Sequence, residues 1–570
     1  MEKIIETKVC KWTGEKFNIY EKDLEILEKL SPVIGGQKFL LPTPNLSPKA
    51  REINRLMFRN ERNFYKIKTE NGKSEISTIH PDMRKRIIDI ENFNNYDFTK
   101  EGIDYTGNFL EDFRKLILKS PNQSRLIANM ENSPYCNQEA NNKNCYLNAG
   151  GFENEDSMYN TFATVSKDVV DNYWVFNSSI VYDSINIFSS SKVFFSTEVK
   201  DSYNCYFSYD LVGCQNVIFG SSLENKNYVF KNEVLSKEKW EEKYKEFKDK
   251  LKTRKGLNEL KKEFEDFLKK AGKKEVFIES SENTYGNIII NSKSSFEVLY
   301  GNKNENIRYA NIVWEVNDSM DINSFAYGDK VYNCASSGFV KSSISSSHII
   351  YSDNIFYSFG VDSINHAFGC LGFGLKNKSY LILNKKYEKE EWEKIVQKII
   401  LELQEKGLWG KFLSPDLSPF PYNDTVAMEY YPIKKIMILE GNNIVSEKIN
   451  SEDGIGTVYI LEKDKFISKA IIDFGGVEKI HTYWRTKEIE VDIPKNMEKI
   501  LGNEIPEIDT IDESILNKAI ICEKSKRPFR IVKKELEFYK KYSLPIPSLH
   551  YNERHLNRIK MKSNNYYFVE

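Results

Sequence analysis

Two clusters of basic residues, one near each end of the chain, have the types and spacing best suited to a chemical task. Arg51, Arg55, Arg59 and Arg62 recur every three or four residues, with Lys66 just beyond. On a helix that spacing gathers them on one face. Arg554, Arg558 and Lys562 repeat it near the other end, with Lys560 among them. Residues 49–68 hold seven Lys/Arg against two acids, and residues 522–562 hold twelve against four. Phe58, Phe64 and Tyr65 lie close to the first cluster, and Tyr551, Tyr566, Tyr567 and Phe568 to the second. Guanidinium forks suit phosphates, and aromatic rings stack on unpaired bases, so the expected role is RNA or ribonucleoprotein binding, a ribosome included. The competing reading is a solubilising helix face, or an internal salt-bridge set with the acids of the rest of the chain.

Catalytic constellations are harder to find, and no residue is assigned a catalytic role. His366 and Cys370 could pair as base and thiol nucleophile, but no flanking signature supports it, and both are expected in a core. Asp183, Asp201, Asp210, Asp318, Asp321, Asp329, Asp353 and Asp362 supply carboxylates of the kind sugar-cleaving β-helices use. Most of them fall at turn positions, where Asp satisfies its own backbone. Gly369–Gly374 is glycine-rich but lacks a βαβ context. The balance leans away from an enzyme.

The 570 residues carry a net charge of −1, which excludes a uniformly basic nucleic-acid binder but not local patches. Charged residues make up 29%, no run of about 18 apolar residues occurs, and the first residues lack an apolar signal core. A cytoplasmic protein without a membrane partner is expected. Eight cysteines are too few for a disulfide scaffold of this size.

The elements that must position the basic clusters are set by two internal similarities. Asn225–Phe230 recurs as Asn377–Ile382, and Trp240 as Trp392, at an offset of 152. Small polar pairs such as Ser178-Ser179, Ser190-Ser191 and Asp201-Ser202 precede short apolar runs at a step of about 11. Two steps, about 22–23 residues, suit one coil of a parallel β-helix; β-sandwiches are the alternative. The expected fold is therefore mainly β with helical caps: two duplicated parallel β-helix (solenoid) blocks flanked by small α+β end modules. The expected divisions are an end module with a basic helix over 1–90, a connector over 91–130, and the first block over 131–232. A helical cap over 233–275, the second block over 280–385, and a cap with a Pro-rich segment over 386–430 follow. A small α+β or irregular segment fills 431–514, and a second end module 515–570. The cap at 237–274 holds 15 Lys/Arg against 9 Asp/Glu, so it too could face an acidic partner.

The two ends also match each other at an offset of 512: Cys10…Phe17…Ile19…Leu24-Glu25 against Cys522…Phe529…Ile531…Leu536-Glu537. Each then reaches a Pro-x-Pro, at Pro42-Thr43-Pro44 and Pro545-Ile546-Pro547. With Asn142-Lys143-Asn144-Cys145-Tyr146 and the segment Leu413–Ala427, these motifs resemble an uncharacterised family of candidate-phyla-radiation bacteria. That family joins zinc-ribbon-like ends to a central region repetitive in Asn, Cys and Tyr, and implies architecture without an activity. The ribbon pattern is degenerate here. Cys10, Thr13, Ser47 and Ala50 occupy the N-terminal ligand places, and Cys522, Ser525, His550 and Glu553 the C-terminal ones. Cys522, His550 and Glu553 are the candidate zinc ligands, and otherwise no cofactor is expected. In the metal-free case Phe17, Ile19, Leu24 and Leu27 are expected to hold one module, and Phe529, Ile531, Leu536 and Tyr539 the other. The function expected overall is a non-catalytic scaffold binding RNA or a ribonucleoprotein through its ends. A protein-interaction or self-assembling solenoid is the alternative, and a carbohydrate-active β-helix the third reading.

Overall fold

The computed structural model describes residues 2–489, 493–494, 496–562 and 566–569; of residues 325–326 and 336–337 only the backbone is described. The protein is mainly β, with long parallel sheets, and forms two compact units: residues 1–125, 276–488 and 563–570, and residues 126–275 and 489–562. Each contains one coiled block, and the end module inside a unit is the one from the far end of the chain.

The coil is shorter than the sequence step suggested. Thr161 pairs with Tyr173, Tyr173 with Ile185 and Ile185 with Thr197, while Lys167 pairs with Ser179 and Ser179 with Ser191. Residue i therefore meets residue i+12, and each coil carries two short strands in about half the length expected. Each near-11 step of the polar pairs is one whole coil. A pair can be read one residue early or late, and that slip hid the true period of 12.

A three-residue rule builds the coil. Ser178, Val181, Ser184, Ile187, Ser190, Val193, Ser196 and Val199 all point inward and are buried. The residue before each, from Asn177 through Glu198, has φ between 46° and 58°, in the left-handed region. Four such corners in each coil turn the chain back on itself. The interior is so narrow that alternate inward positions carry a single small aliphatic chain. The serines between them satisfy backbone that no sheet reaches. The Ser196 amide donates to Ser184 Oγ (3.1 Å), which itself donates to the Tyr182 carbonyl (2.8 Å). Asn160 and Asn172 do the same work with amide side chains.

Left-handed backbone costs a residue other than Gly, Asn or Asp about 1–2 kcal/mol. Val165 holds φ 50° while 39% exposed, so its side chain gains little from burial. One coil on, Asn177 donates to Ser189 Oγ (3.4 Å), and elsewhere Asn129 donates to Asn141 across the same step (3.0 Å). Val165→Asn is expected to raise stability by about 1 kcal/mol in urea unfolding, through relieved strain and an added rung to that ladder.

The second block follows the same step, Phe296 with Arg308, Met320 with Tyr332 and Ile355 with Ala367. Both blocks end alike. The Trp240 indole donates to the Val229 carbonyl (3.2 Å) and the Trp392 indole to the Leu381 carbonyl (3.1 Å). Asn232 and Asn384 receive the amides of Ser221 and Leu371. The helices Lys237–Leu251 and Lys389–Glu405 start at the same offset of 152. The first cap breaks at Thr253, whose hydroxyl accepts the Gly256 amide and starts the helix Arg254–Ala271. This cap covers the flank as well as the end of its block: Phe247 and Phe264 pack on Phe207 and Phe219. Residues 433–485, part of the stretch expected to be α+β or irregular, form a five-stranded sheet. No helix among the described residues is long and apolar enough to cross a membrane.

Candidate nucleic-acid interface

Each basic helix is started by a residue whose side chain accepts an orphan amide. Ser47 Oγ receives the Ala50 amide (3.3 Å) ahead of Pro48–Leu56, with Pro48 at the first turn. His550 Nδ1 receives the Asn552 amide (3.1 Å) ahead of Tyr551–Met561. Arg51 and Arg55 share one face of the first helix, and Arg554 and Arg558 one face of the second, as their spacing requires, but each face is turned onto the coil; Arg59 and Arg62, expected on the same helix, lie beyond its end at Leu56. Arg55 and Arg558 are each 1% exposed, and Arg51, Arg59, Arg62 and Arg554 are buried too.

Carboxylates of the coils receive these charges. Asp321, wholly buried, accepts Arg51 Nε at 2.7 Å and lies 3.5 Å from Arg55 Nη1. Asp171, also wholly buried, lies 2.7 Å from Arg554 Nη1 and 3.0 Å from Arg558 Nη2. Arg558 Nη1 reaches Asp183 at 3.1 Å. Arg59 pairs with Glu61 and donates to Ser324 Oγ (2.6 Å). The two clamps thus share one plan, two arginines one helical turn apart on one buried aspartate, in separate units. Burial lowers the Arg55 pKa, since Asp321 is shared with Arg51; for Arg51 and Arg554 burial is outweighed by the aspartate and the pKa rises.

This placement corrects the expected interface. Arg51, Arg55, Arg59, Arg62, Arg554 and Arg558 are enclosed by protein, and at Arg51, Arg55, Arg554 and Arg558 a phosphate would have to displace a coil aspartate. For those four the reason is the coil aspartates Asp171, Asp183 and Asp321, hundreds of residues away in sequence. Lys66 and Lys560 face solvent, and Lys562 donates to the Tyr173 hydroxyl (2.7 Å). Asp171 went unnoticed in the sequence, although Asp171 and Asp183 stand one coil apart in a single column. Arg308 was also missed. It is buried in the strand Glu305–Asp329 and pairs with Asp23 (2.5 Å) and Glu2 (2.7 Å).

The candidate zinc ligands Cys522, His550 and Glu553 do not form a metal-holding group; none occurs among the described residues. His550 is buried, and its Nδ1 is engaged as the helix cap. Burial and the charges of Arg527 and Arg554 push its pKa down to about 3. Glu553 pairs with Lys524 (2.8 Å), and Cys522 Sγ accepts the Ser525 amide (3.4 Å). The turns themselves recur: the Gly14 amide bonds the Cys10 carbonyl (2.9 Å) and the Lys526 amide the Cys522 carbonyl (3.1 Å). The helices Glu21–Leu30 and Lys533–Tyr542 match at the offset of 512. Phe17, Ile19, Leu27, Phe529, Ile531, Leu536 and Tyr539 are buried as expected, whereas Leu24 is exposed and Ile26 lies inside in its module. Cys370 is buried with its thiol pushed up to about 12, and its Sγ contacts the Phe368 carbonyl, while His366 packs on Tyr380 and Trp392.

The N-terminal clamp also perturbs a neighbour. Burial, with Asp23 and Asp321 adding to it against Arg51 and Arg308, pushes Glu297 up to about 7. A carboxyl raised in the folded state stabilises it below the unfolded pKa of about 4.5 and loses that contribution as pH rises through the folded value. Stability of residues 276–488 is therefore expected to fall between about pH 5 and pH 8, and Glu297→Gln to flatten that slope, by urea midpoints across the range.

Comparison with family models, characterised proteins and solved structures finds no match to this chain.

Proposed function

We propose that the protein is a non-catalytic scaffold that engages other proteins, a second copy of itself included, through the sides of its coils. The observation that carries this reading is an exposed aromatic column on the second block. Tyr327, Phe339 and Tyr351, on successive coils, are 43%, 48% and 60% exposed. Their rings stack at 5.0 and 4.8 Å and within 10° of parallel, a rigid strip formed without loss of side-chain freedom on binding. Tyrosine and phenylalanine are enriched at protein interfaces. The internalised arginines add weight, because they contribute to the fold and not to a phosphate-binding surface. The recurrences at 152 and 512 support descent of the chain from a doubled ancestor.

Sedimentation velocity tests the proposal. Self-association or co-sedimentation with a partner, weakened at least about tenfold by Tyr327→Ser with Tyr351→Ser, is the expected outcome. An association indifferent to both changes would exclude this face.

RNA binding stays in view through a different surface. The helices Lys237–Leu251 and Arg254–Ala271 expose Lys245, Lys250 and Lys262 on a segment with a net excess of basic residues. Filter binding against mixed RNA at two salt concentrations, with those lysines changed to glutamate, addresses this second reading. Salt-sensitive binding that the changes abolish would support it.

A further inference from the structure

The second block begins on a strand edge that the coils themselves do not fill. Ile278–Glu279 covers one part of it, in parallel register with Ile289–Ile290. The stretch Thr284–Gly286 is covered instead by the far end of the chain. Tyr567–Val569 pairs with it antiparallel, Thr284 opposite Val569, Tyr285 opposite Phe568 and Gly286 opposite Tyr567. Every other strand pair of that sheet among the described residues is parallel. The tail thus stands where a strand of a preceding coil would lie, on an edge that would otherwise offer its backbone to any extended chain.

Backbone directions fix which groups are engaged. The Tyr285 amide donates to the Ser295 carbonyl (2.8 Å), on the side away from the tail. Backbone groups alternate in side along a strand, so those of Thr284 and Gly286 face the tail and are met by Val569 and Tyr567. Side chains enclose the tail loosely. Phe568 is 55% and Tyr566 38% exposed, and Tyr566 meets the Tyr285 ring at 5.6 Å.

Two features make this strand separable from the edge it completes. It is three residues long, and so short a strand is held by few hydrogen bonds. It is also terminal: residues 563–570 lie in the unit of the second block, whereas the helix before them, Tyr551–Met561, lies in the other unit. A terminal element exchanged between identical chains remakes in the second copy the contacts it gives up in the first, at low cost. An edge that recognises a strand by backbone pairing takes it from either copy.

We infer that Thr284–Gly286 is a strand-acceptor site and that the strand Tyr567–Val569 of a second copy enters it, joining copies by exchanged tails. This contact lies at the start of the block, ahead of the exposed rings of Tyr327, Phe339 and Tyr351, and does not depend on them.

The test is covalent trapping in the full chain. Positions 285 and 568 lie opposite each other, at the Cα separation of roughly 4.5–5.5 Å that strand partners have, within disulfide reach. The chain with Tyr285→Cys and Phe568→Cys is oxidised, and its products are read on a non-reducing gel with peptide mapping. The eight native cysteines are buried and do not compete. Exchange predicts covalent dimers joined between positions 285 and 568, their fraction at about 200 µM being at least about tenfold that at about 2 µM. A bond that closes only within single chains at both concentrations, or no bond between these positions, would overturn the inference. Adding Tyr327→Ser and Tyr351→Ser to the same chain should leave the trapped dimer in place, so failure of the ring contact and failure of the exchange are told apart. The unaltered chain supplies a second measurement should the cysteine variant not fold. A labelled peptide of residues 563–570 should bind it by fluorescence anisotropy. N-methylation at Tyr567 and Val569 should weaken that binding at least about tenfold, and N-methylation at Phe568 should leave it within about twofold. Equal effects at the three positions, or no binding at about 1 mM peptide, would likewise overturn the inference.

Discussion

Asp171→Ala is expected to destabilise the unit built on the first block by about 3–5 kcal/mol, because it strands two buried guanidinium groups at once. Asp171 lies between Arg554 and Arg558, neither of which has solvent to retreat into. Breaking a buried pair by removing one partner leaves the other charge uncompensated, and here two charges are left. Arg558 retains Asp183 at 3.1 Å, and Arg554 lies 3.8 Å from Glu535, which limits the loss without cancelling it. Asp321→Ala should act alike in the other unit, where Arg51 and Arg55 depend on it. Amide hydrogen exchange resolves the two units, and protection should fall in residues 126–275 for the first variant and 276–488 for the second.

The second large effect is expected at the end of a coil. Trp392→Ala should cost about 3–5 kcal/mol, the range for truncating a buried aromatic residue. The indole is almost wholly enclosed, packs against His366 and Tyr380, and donates to the Leu381 carbonyl on the last strand of the block. Its loss leaves a cavity and an unpaired carbonyl at the point where the solenoid would otherwise be open. Trp392→Phe fills most of the volume but cannot donate, so the difference between the two variants separates packing from the hydrogen bond. Urea unfolding of both variants gives the comparison.

Much of this fold was legible in the sequence, and the parts that were not share a cause. Local spacing identified a solenoid of parallel sheets, the helices that follow its two blocks, and the helical placement of Arg51 with Arg55 and of Arg554 with Arg558, but not the end of the first helix before Arg59. Its limit is shown by Ser178 and Ser190. They were read as polar punctuation between strands, when they are inward residues whose hydroxyls join one coil to the next. A polar residue can fill so narrow a core only because every third residue turns the backbone, and alternating strands carry no signal for that. The arginines show a second limit. Their helical spacing says that they share a face but not what the face meets, and the aspartates that meet it lie hundreds of residues away. Asp321, one of the aspartates most of which were expected at turns, lies within the strand Glu305–Asp329 at φ 60°, and its side chain is turned to an arginine pair instead of its own backbone.

The claim that the basic helices are internal clamps is tested most directly by a double-mutant cycle on Asp171 and Arg558. Urea unfolding of Asp171→Asn, Arg558→Met and the double variant isolates their coupling. The account predicts a coupling of about 2 kcal/mol, the double variant being far less destabilised than the sum of the single changes. Single changes that add within about 0.5 kcal/mol would contradict it, and would return Arg558 to the residues free to meet a ligand.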